Sequence, residues 1–155
     1  MNEYVAFLSQ KKPACLYSKR DKDDREYVIS LLSMDYPHYD IYHLVLFFQN
    51  EQQKSQFVEQ YQGIEFRSAE HHRLIGLTLG YPPLAVEHFV RSFKEGNFED
   101  SVGIYYHGYT FSSHKEDVYA IANWLWTHIP TRPEPVKVTK SNGKSFWIYP
   151  KIMVK

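Results

Sequence analysis

The histidines in the central part of the chain are the side chains best suited to do chemistry. "EHH" places His71 and His72 beside Glu70, His88 follows in the next helical stretch, and His107 stands within "YYHGY". A catalytic zinc site needs about three such ligands, whereas a general base needs one imidazole held by a carboxylate. No His-Glu-x-x-His spacing is present, so a purely structural role for these histidines is an alternative to both interpretations. His88 and His107 are the strongest individual candidates.

Other devices of catalysis are missing from the sequence. It contains neither a Gly-x-Ser-x-Gly elbow nor a Gly-x-x-x-x-Gly-Lys-Ser/Thr phosphate loop. Cys15 is the only cysteine, which rules out an internal disulfide and a cysteine-based zinc site. Its neighbours Ala14 and Leu16 are apolar, an environment in which a thiol is inert. We therefore expect no cofactor, and the balance is against an enzyme.

The segment "HHRLIGLTLGYPPLAVEHF", residues 71–89, has the spacing of a helix–turn–helix. Gly80 suits the left-handed residue that ends a helix, and Pro83 suits the first turn of the next one. A DNA-reading helix needs donors and acceptors at its start, but here Pro82 and Pro83 lack the backbone N–H and Glu87 would repel phosphate. Only Arg91 and Lys94 remain as useful contacts to DNA, and Glu95 adjoins them. We favour a tight helical hairpin and keep DNA binding as an alternative.

The elements that position these residues are predicted by periodicity and caps. Strand-like segments are "PACLYS", "REYVISLL", "IYHLVLFFQ" and "VGIYYHGYTF", with "DYPHYD" as a turn. Asn50 and Ser68 are predicted caps of central helices, and Ser113 with Glu116 forms a predicted capping box. The helix after that box carries a core-facing stripe made of Val118, Ile121, Ala122, Leu125 and Ile129. We predict an α+β fold with a single domain over residues 1–155.

The C-terminal segment "VKVTKSNGKSFWIYP" is predicted to be a β-hairpin with a type I′ turn at Asn142-Gly143. That turn would place Trp147 and Tyr149 on one face with two valines. The lysines interleaved with these aromatic residues are Lys137, Lys140, Lys144, Lys151 and Lys155. Such a mixture suits single-stranded nucleic acid, but lysines also protect sheet edges while aromatic residues pack inward. We favour the second interpretation.

Composition and charge limit the class of protein. Aromatic residues make up 17% of the 155 residues, which is typical of a folded core. No apolar run reaches the roughly 18 residues of a membrane span, and the N-terminus does not resemble a secretory signal. Residues 26–131 carry six Lys/Arg against thirteen Asp/Glu, a net −7, whereas residues 132–155 carry six against one, a net +5. We expect a cytoplasmic bacterial protein without a membrane partner, and the acidic body argues against a nucleic-acid partner.

Two central segments carry a family resemblance. "IGLTLGYPPLAVEHF" followed by "VGIYYHGYTFSSHKEDVYAIANWLW" resembles the uncharacterised bacterial family named domain of unknown function 3793, and "KKPACLYS" is similar to an early segment of it. The resemblance implies a helix pair followed by a strand and a helix. Leu84-Ala85 replaces a position that tends to be acidic in the family, and the cysteines common near that family's end are absent. No activity is implied.

These observations lead to a ranked set of functional hypotheses. The first is a non-catalytic binding or regulatory protein that engages a protein or a small molecule through an aromatic-rich surface around "YYHGY". The alternatives are a histidine-dependent hydrolase, with His88 or His107 as base near a carboxylate, and a helix–turn–helix DNA-binding regulator. The candidate binding residues are His72, Tyr81, His88, Arg91, Tyr106 and His107.

Overall fold

The computed structural model describes residues 1–151, which form two antiparallel sheets with helices packed around them. The helices α1 to α6 are Glu3–Leu8, Arg25–Ser33, Glu51–Tyr61, Ala69–Thr78, Pro83–Glu95 and Val118–His128. The strands β1 to β7 are Ala14–Ser18, His38–Ile41, Leu44–Phe48, Ser101–Tyr106, Tyr109–His114, Val136–Thr139 and Ser145–Ile148. The predicted α+β class is confirmed. Within residues 1–151, none of the helices has the length and apolar character needed to cross a membrane.

The first sheet has three strands in the order β1–β3–β2. β1 lies within "PACLYS" as predicted. The stretch "DYPHYDIYHLVLFFQ", predicted as a turn and one strand, instead forms the β2–β3 hairpin, in which Ile41 pairs with Leu44. Tyr42 takes a positive φ of 56° in the tight turn. The prediction failed here because neither residue of this turn is a glycine or asparagine, the usual signals.

The segment "REYVISLL" is helical, so its prediction as a strand was wrong. It lies in α2, where Val28 and Leu31 are buried and Ile29 and Leu32 are exposed. Val28 and Leu31 stand three residues apart and face the cluster around Phe7. This spacing is typical of one face of a helix. In so short a segment, the β-branched residues favoured the prediction of a strand instead.

The caps and the helical hairpin in the middle of the chain agree with prediction. The side chains of Asn50 and Ser68 each accept a hydrogen bond from the backbone N–H three residues later, at the starts of α3 and α4. α4 ends before Gly80, whose φ is 85° and where a Cβ would lie 2.9 Å from the Cδ of Pro13. Pro83 is the first residue of α5. A left-handed glycine followed by a proline therefore fixes this turn.

The second sheet has four strands in the order β5–β4–β6–β7. "VGIYYHGYTF" was predicted as one strand but forms the β4–β5 hairpin, with Tyr106 paired to Tyr109. His107 and Gly108 make the turn with φ of 45° and 85°, the signs that a type I′ turn requires. A Cβ on Gly108 would lie 2.7 Å from the carbonyl oxygen of Asn2, so α1 packs directly against this turn.

The predicted stripe of α6 is buried, but its predicted cap is wrong. The stripe residues Val118, Ile121, Ala122, Leu125 and Ile129 all belong to the core of the four-stranded sheet. Ser113 is buried inside β5 and does not cap a helix. Instead, the Nδ1 atom of His114 accepts a hydrogen bond from the backbone N–H of Glu116 at 3.0 Å. A short 3₁₀ turn, Lys115–Asp117, then leads into α6.

The C-terminal hairpin is present, but its predicted turn type is wrong. The loop has three residues, because the backbone N–H of Lys140 donates to the carbonyl of Lys144 at 2.8 Å and that of Gly143 donates to Lys140 at 2.9 Å. Gly143 has a φ of 86°, and Asn142 does not share its positive φ. This geometry is that of a type I turn followed by a left-handed glycine.

The third loop residue shifts the strand register by one position. Val138 is opposite Phe146, and Lys137 is opposite Trp147. A shift of one residue moves every side chain of a strand to the other face. Trp147 and Tyr149 therefore do not join the valines in the core and are 49% and 68% exposed. Lys155, part of the predicted lysine-rich surface, lies outside the described residues.

Candidate functional site

An apolar cavity of about 290 Å³ lies where the α4–α5 hairpin meets both sheets. We name it the inter-sheet cavity. It is lined by Leu16, His72, Ile75, Gly76, Leu79, Tyr81, Ala85, Val86, Phe89, Thr110, Phe111 and Ser112. Leu16 comes from β1 and the last three come from β5. The cavity volume is at the lower end of the roughly 300–1,000 Å³ found in small-molecule sites.

The helical hairpin forms one wall of the inter-sheet cavity. α4 and α5 approach so closely that a Cβ on Gly76 would lie 3.0 Å from a methyl group of Val86. Outside the cavity, Arg73 of α4 donates to Glu87 of α5 from Nε at 2.7 Å and from Nη2 at 3.1 Å. Because Glu87 is bound in this way, the start of α5 presents a paired acid rather than DNA-reading donors.

His72 is the cavity residue with unused hydrogen-bonding capacity. Its ring packs against Phe89 and Phe93, with centroid distances of 5.3 and 4.4 Å. Its Nε2 atom is buried and has no hydrogen-bond partner within residues 1–151. Burial lowers the pKa of His72, and Arg67 adds to the effect. The imidazole is therefore neutral at neutral pH and can donate or accept one hydrogen bond.

Tyr81 separates the inter-sheet cavity from a buried lysine. One of its neighbours is Phe111, at a ring distance of 5.1 Å, and the Nζ atom of Lys12 lies 5.0 Å from the Tyr81 ring. Lys12 is fully buried, and its Nζ atom is 3.2 Å from the carboxylate of Glu3 and 3.3 Å from the carbonyl of Leu79.

The buried lysine is a structural group. Besides Glu3 and Leu79, Nζ also contacts the carbonyl of Ala14 at 3.3 Å, so the three ammonium protons each have an acceptor. Burial lowers the pKa of Lys12 and raises that of Glu3. With its donors engaged, Lys12 joins α1, β1 and the end of α4, and so supports Tyr81. The sequence contains no local signal for this contact.

His88 faces away from the inter-sheet cavity and is not among the residues that line it. Its Nε2 atom lies 2.7 Å from the hydroxyl of Ser101, and its ring is 5.4 Å from that of His114. The Nδ1 atom has no partner within the described residues. Burial lowers the pKa of His88, and the neighbouring His114 lowers it further. Sequence analysis missed Ser101, because the contact joins α5 to β4.

The remaining predicted residues lie at separate places. Arg91 is exposed on α5. Tyr106 is buried in β4, where its hydroxyl accepts from the backbone N–H of Glu134 at 3.2 Å. His107 lies in the β4–β5 turn with its ring 4.6 Å from that of Tyr106, and burial lowers its pKa. The inter-sheet cavity is lined by His72 and Tyr81 but by none of Arg91, Tyr106 and His107.

The metal and hydrolase hypotheses require several of these side chains to lie close together. Within residues 1–151, no group of three or more His, Cys, Asp or Glu side chains is arranged to hold a metal ion. In the same part of the chain, neither His88 nor His107 makes a hydrogen bond with a carboxylate. The aromatic surface predicted around "YYHGY" is also wrong in part, because Tyr106 and Tyr109 belong to the core. Cys15 is buried, and burial raises the pKa of its thiol.

The fold and the cavity together define an α+β protein with a partly open apolar cavity between its two sheets. Comparisons with protein-family models, with curated proteins and with solved structures gave no match. The resemblance to domain of unknown function 3793 therefore stays a prediction from the sequence.

Proposed function

We propose that this protein is a non-catalytic binding protein whose inter-sheet cavity holds a small, mostly apolar molecule. The observation that carries the proposal is an apolar cavity of about 290 Å³ that includes a neutral imidazole. Small-molecule sites combine an apolar lining with a few polar groups that orient the ligand. We take the protein to act in the bacterial cytoplasm, as expected from its sequence.

The cavity walls favour a ligand that carries a ring or a short acyl chain and one polar group. Tyr81, Phe89 and Phe111 present aromatic surface, against which a flat ring can pack. The Nε2 atom of His72 is buried and has no partner among residues 1–151, and we propose that the imidazole turns this atom toward the polar group of the ligand on binding. Thr110 and Ser112 add hydroxyl groups at the β5 wall. A charged ligand would have no counter-charge, since none of the lining residues is an acid or a lysine or arginine.

Binding can be tested with a panel of small uncharged probes, including indole, 4-ethylphenol and 1-hexanol. We expect at least one uncharged probe to raise the Tm of the full chain and to shift the NMR methyl signals of Val86 and Ile75, which line the cavity. Ser112→Leu places a larger side chain at the cavity wall and should abolish both effects, whereas Ser112→Ala should retain them. Equal responses in the two variants, or no response in the unaltered chain, would contradict the proposal.

The role of His72 is tested separately. His72→Phe retains an apolar ring but removes the hydrogen-bonding nitrogen. It should weaken a phenol or indole probe by about 5-fold or more, since a net hydrogen bond is worth about 1 kcal/mol. A purely apolar probe such as toluene should be affected less. The same loss for toluene and 4-ethylphenol would show that His72 contributes only shape.

One observation favours a second candidate, hydrolysis by a serine–histidine pair. The 2.7 Å contact between Ser101 and His88 has the geometry of a nucleophile and its base. However, no carboxylate orients the other nitrogen of His88 among residues 1–151, and its lowered pKa makes it a weaker base. Turnover of p-nitrophenyl esters that disappears in both Ser101→Ala and His88→Gln would establish this activity. Turnover retained in either variant would reject it.

A further inference from the structure

One face of the four-stranded sheet exposes aromatic and basic side chains. Tyr105, Lys137 and Trp147 lie in one row across β4, β6 and β7, because Tyr105 is opposite Lys137 and Lys137 is opposite Trp147. Tyr105 and Trp147 are 37% and 49% exposed, and Tyr149, two residues beyond Trp147, is 68% exposed. We name Gly103, Tyr105, Lys137, Trp147 and Tyr149 the aromatic face.

The aromatic face is distinct from the inter-sheet cavity and from the core. α6 packs on the opposite side of the sheet, against Ile104 and Val138. α5 contacts β5, at the far edge from β7. Strands in a sheet are about 4.8 Å apart, so the Tyr105 and Trp147 positions are separated by roughly 10 Å with Lys137 between them. The rings are therefore spaced for separate contacts with one extended ligand.

Gly103 gives the aromatic face an open, flat area beside Tyr105. A Cβ at this position would meet nothing closer than the carbonyl oxygen of Thr139 at 3.8 Å. Neither close packing nor a positive φ therefore requires the glycine. Glycine within a strand weakens it and often marks the close approach of a ligand. The absence of a side chain leaves room for a planar group next to the Tyr105 ring.

The charge of this region identifies the chemistry of the ligand. Residues 132–151 contain five Lys/Arg and a single acid, a net +4, although the whole chain is neutral. On the aromatic face, the Nζ atom of Lys137 lies 5.9 Å from the centre of the Trp147 ring. A lysine between two exposed rings, in a segment of net positive charge, matches a polyanion whose units carry flat faces. Single-stranded nucleic acid has both properties.

We infer that the aromatic face binds single-stranded nucleic acid, with bases stacked on Trp147 and Tyr105 and the phosphate backbone near Lys137. The burial of Trp147 and Tyr149, which had argued against such a surface, does not occur. Stacking on rings does not depend on base-specific hydrogen bonds, so little sequence preference is expected. A duplex, whose bases are already stacked, cannot use the rings and should bind more weakly.

The test is fluorescence anisotropy of labelled ten-nucleotide oligo-dT and oligo-rU with the full chain at 50 and 200 mM salt. We expect binding that weakens with salt, and a loss of about 5-fold or more in Trp147→Ala, the size of one stacking contact. Lys137→Ala should reduce the slope of log affinity against log salt by about 0.7. Matched controls are Tyr119→Ala, an exposed ring on α6, and Lys22→Ala, an exposed lysine near the N-terminus.

Four outcomes would overturn the inference. They are no binding at 50 mM salt, equal affinity for a duplex of the same length, no effect of Trp147→Ala, and an equal loss in Tyr119→Ala. Sedimentation of the same samples adds one more comparison. If the chain does not bind the oligonucleotides but forms a dimer that is lost in Trp147→Ala, the aromatic face would be the binding surface for a second copy of the protein.

Discussion

The inter-sheet cavity and the aromatic face both gather aromatic rings, but they hold them in different ways. In the cavity wall, Tyr81 is fixed by Phe111 at 5.1 Å on one side and by the ammonium group of Lys12 at 5.0 Å. On the aromatic face, Trp147 has one basic neighbour, Lys137, at 5.9 Å, and is half exposed. The rings of the cavity wall are held by packing within the fold, whereas the rings of the aromatic face are largely exposed to solvent.

This difference determines what a substitution can reveal in each region. Near the inter-sheet cavity, the residues that line the cavity also pack against the core and its buried polar groups. Substitutions there therefore change stability and binding together. On the aromatic face, Trp147 and Tyr149 are 49% and 68% exposed, and substitutions of exposed residues usually change stability by no more than about 0.5 kcal/mol. Binding can therefore be measured there without loss of fold.

The largest effect on stability is expected from Lys12→Ala, next to the inter-sheet cavity. The change leaves the carboxylate of Glu3 and the carbonyl groups of Ala14 and Leu79 without their shared donor. Breaking a fully buried ion pair by removing one partner costs about 3–5 kcal/mol, and because the Glu3 side chain is 28% exposed the lower end of about 3 kcal/mol applies here. We expect a loss of this size in the free energy of unfolding, measured by urea denaturation at pH 7.

Lys12→Met combined with Glu3→Gln is the matched control. It replaces the ion pair by neutral side chains of similar length, and such replacements are often close to neutral. The double variant should recover the part of the loss that comes from the unpaired Glu3 carboxylate, whereas the carbonyl groups of Ala14 and Leu79 remain without a donor. A Lys12→Ala variant within about 1 kcal/mol of the unaltered chain would show that the lysine does not hold this region together.

The second effect concerns pH and His71, which lies next to His72 in α4. Burial lowers the pKa of His71 to about 4, and its Nδ1 atom lies 2.8 Å from the hydroxyl of Tyr61. In the unfolded chain the imidazole of His71 takes up a proton near pH 6.5. The stability that depends on a neutral His71 is therefore fully present above that pH. It is lost as the pH falls from about 6.5 to 4, and amounts to about 2–3 kcal/mol.

His71→Phe should remove this part of the pH dependence. Urea denaturation at pH 7.5 and pH 4.5 should give a smaller difference in stability for the variant than for the unaltered chain. His128→Gln serves as the control, because its side chain is exposed in the folded protein. The same pH dependence in the unaltered chain and in His71→Phe would contradict the lowered pKa.

The features that could be predicted from the sequence are those encoded by neighbouring residues. The caps at Asn50 and Ser68 and the turn from Gly80 to Pro83 depend on a few consecutive side chains, and all were confirmed. The stripe of α6 is also local, since it needs only helical spacing. Of the predicted binding residues, His72 and Tyr81 both lie in this helical hairpin segment, and both line the inter-sheet cavity.

Several of the features that failed depend on one backbone angle or on distant partners. Whether Asn142 joins Gly143 in a positive φ decides the hairpin register, and the sequence Asn-Gly permits either turn. Because of the one-residue shift in register, Phe146 faces the core side of the sheet where Trp147 had been predicted to lie. The contacts of Lys12 with Leu79, and of His88 with Ser101, join elements that periodicity treats separately.

The third effect is a gain in stability on the aromatic face. Gly103→Thr should raise the free energy of unfolding by about 0.5–1 kcal/mol, because threonine suits a strand better than glycine and open space surrounds this position. Gly63→Thr is the matched control, since it also has open space but a φ of 80°, and it should destabilise. Destabilisation by both changes in urea denaturation would mean that the face around Gly103 is closed.

The smallest effect on stability is expected from Trp147→Ala, and its contrast with Tyr81→Ala is the direct test of the comparison. Trp147 is half exposed, so its removal should change the free energy of unfolding by no more than about 0.5 kcal/mol. Tyr81 packs on Phe111 and Lys12, so its removal should cost about 2–4 kcal/mol. Both values come from the same urea titration. A large loss in Trp147→Ala would mean that this ring supports the sheet, and its exposure would then give no reason to expect a ligand.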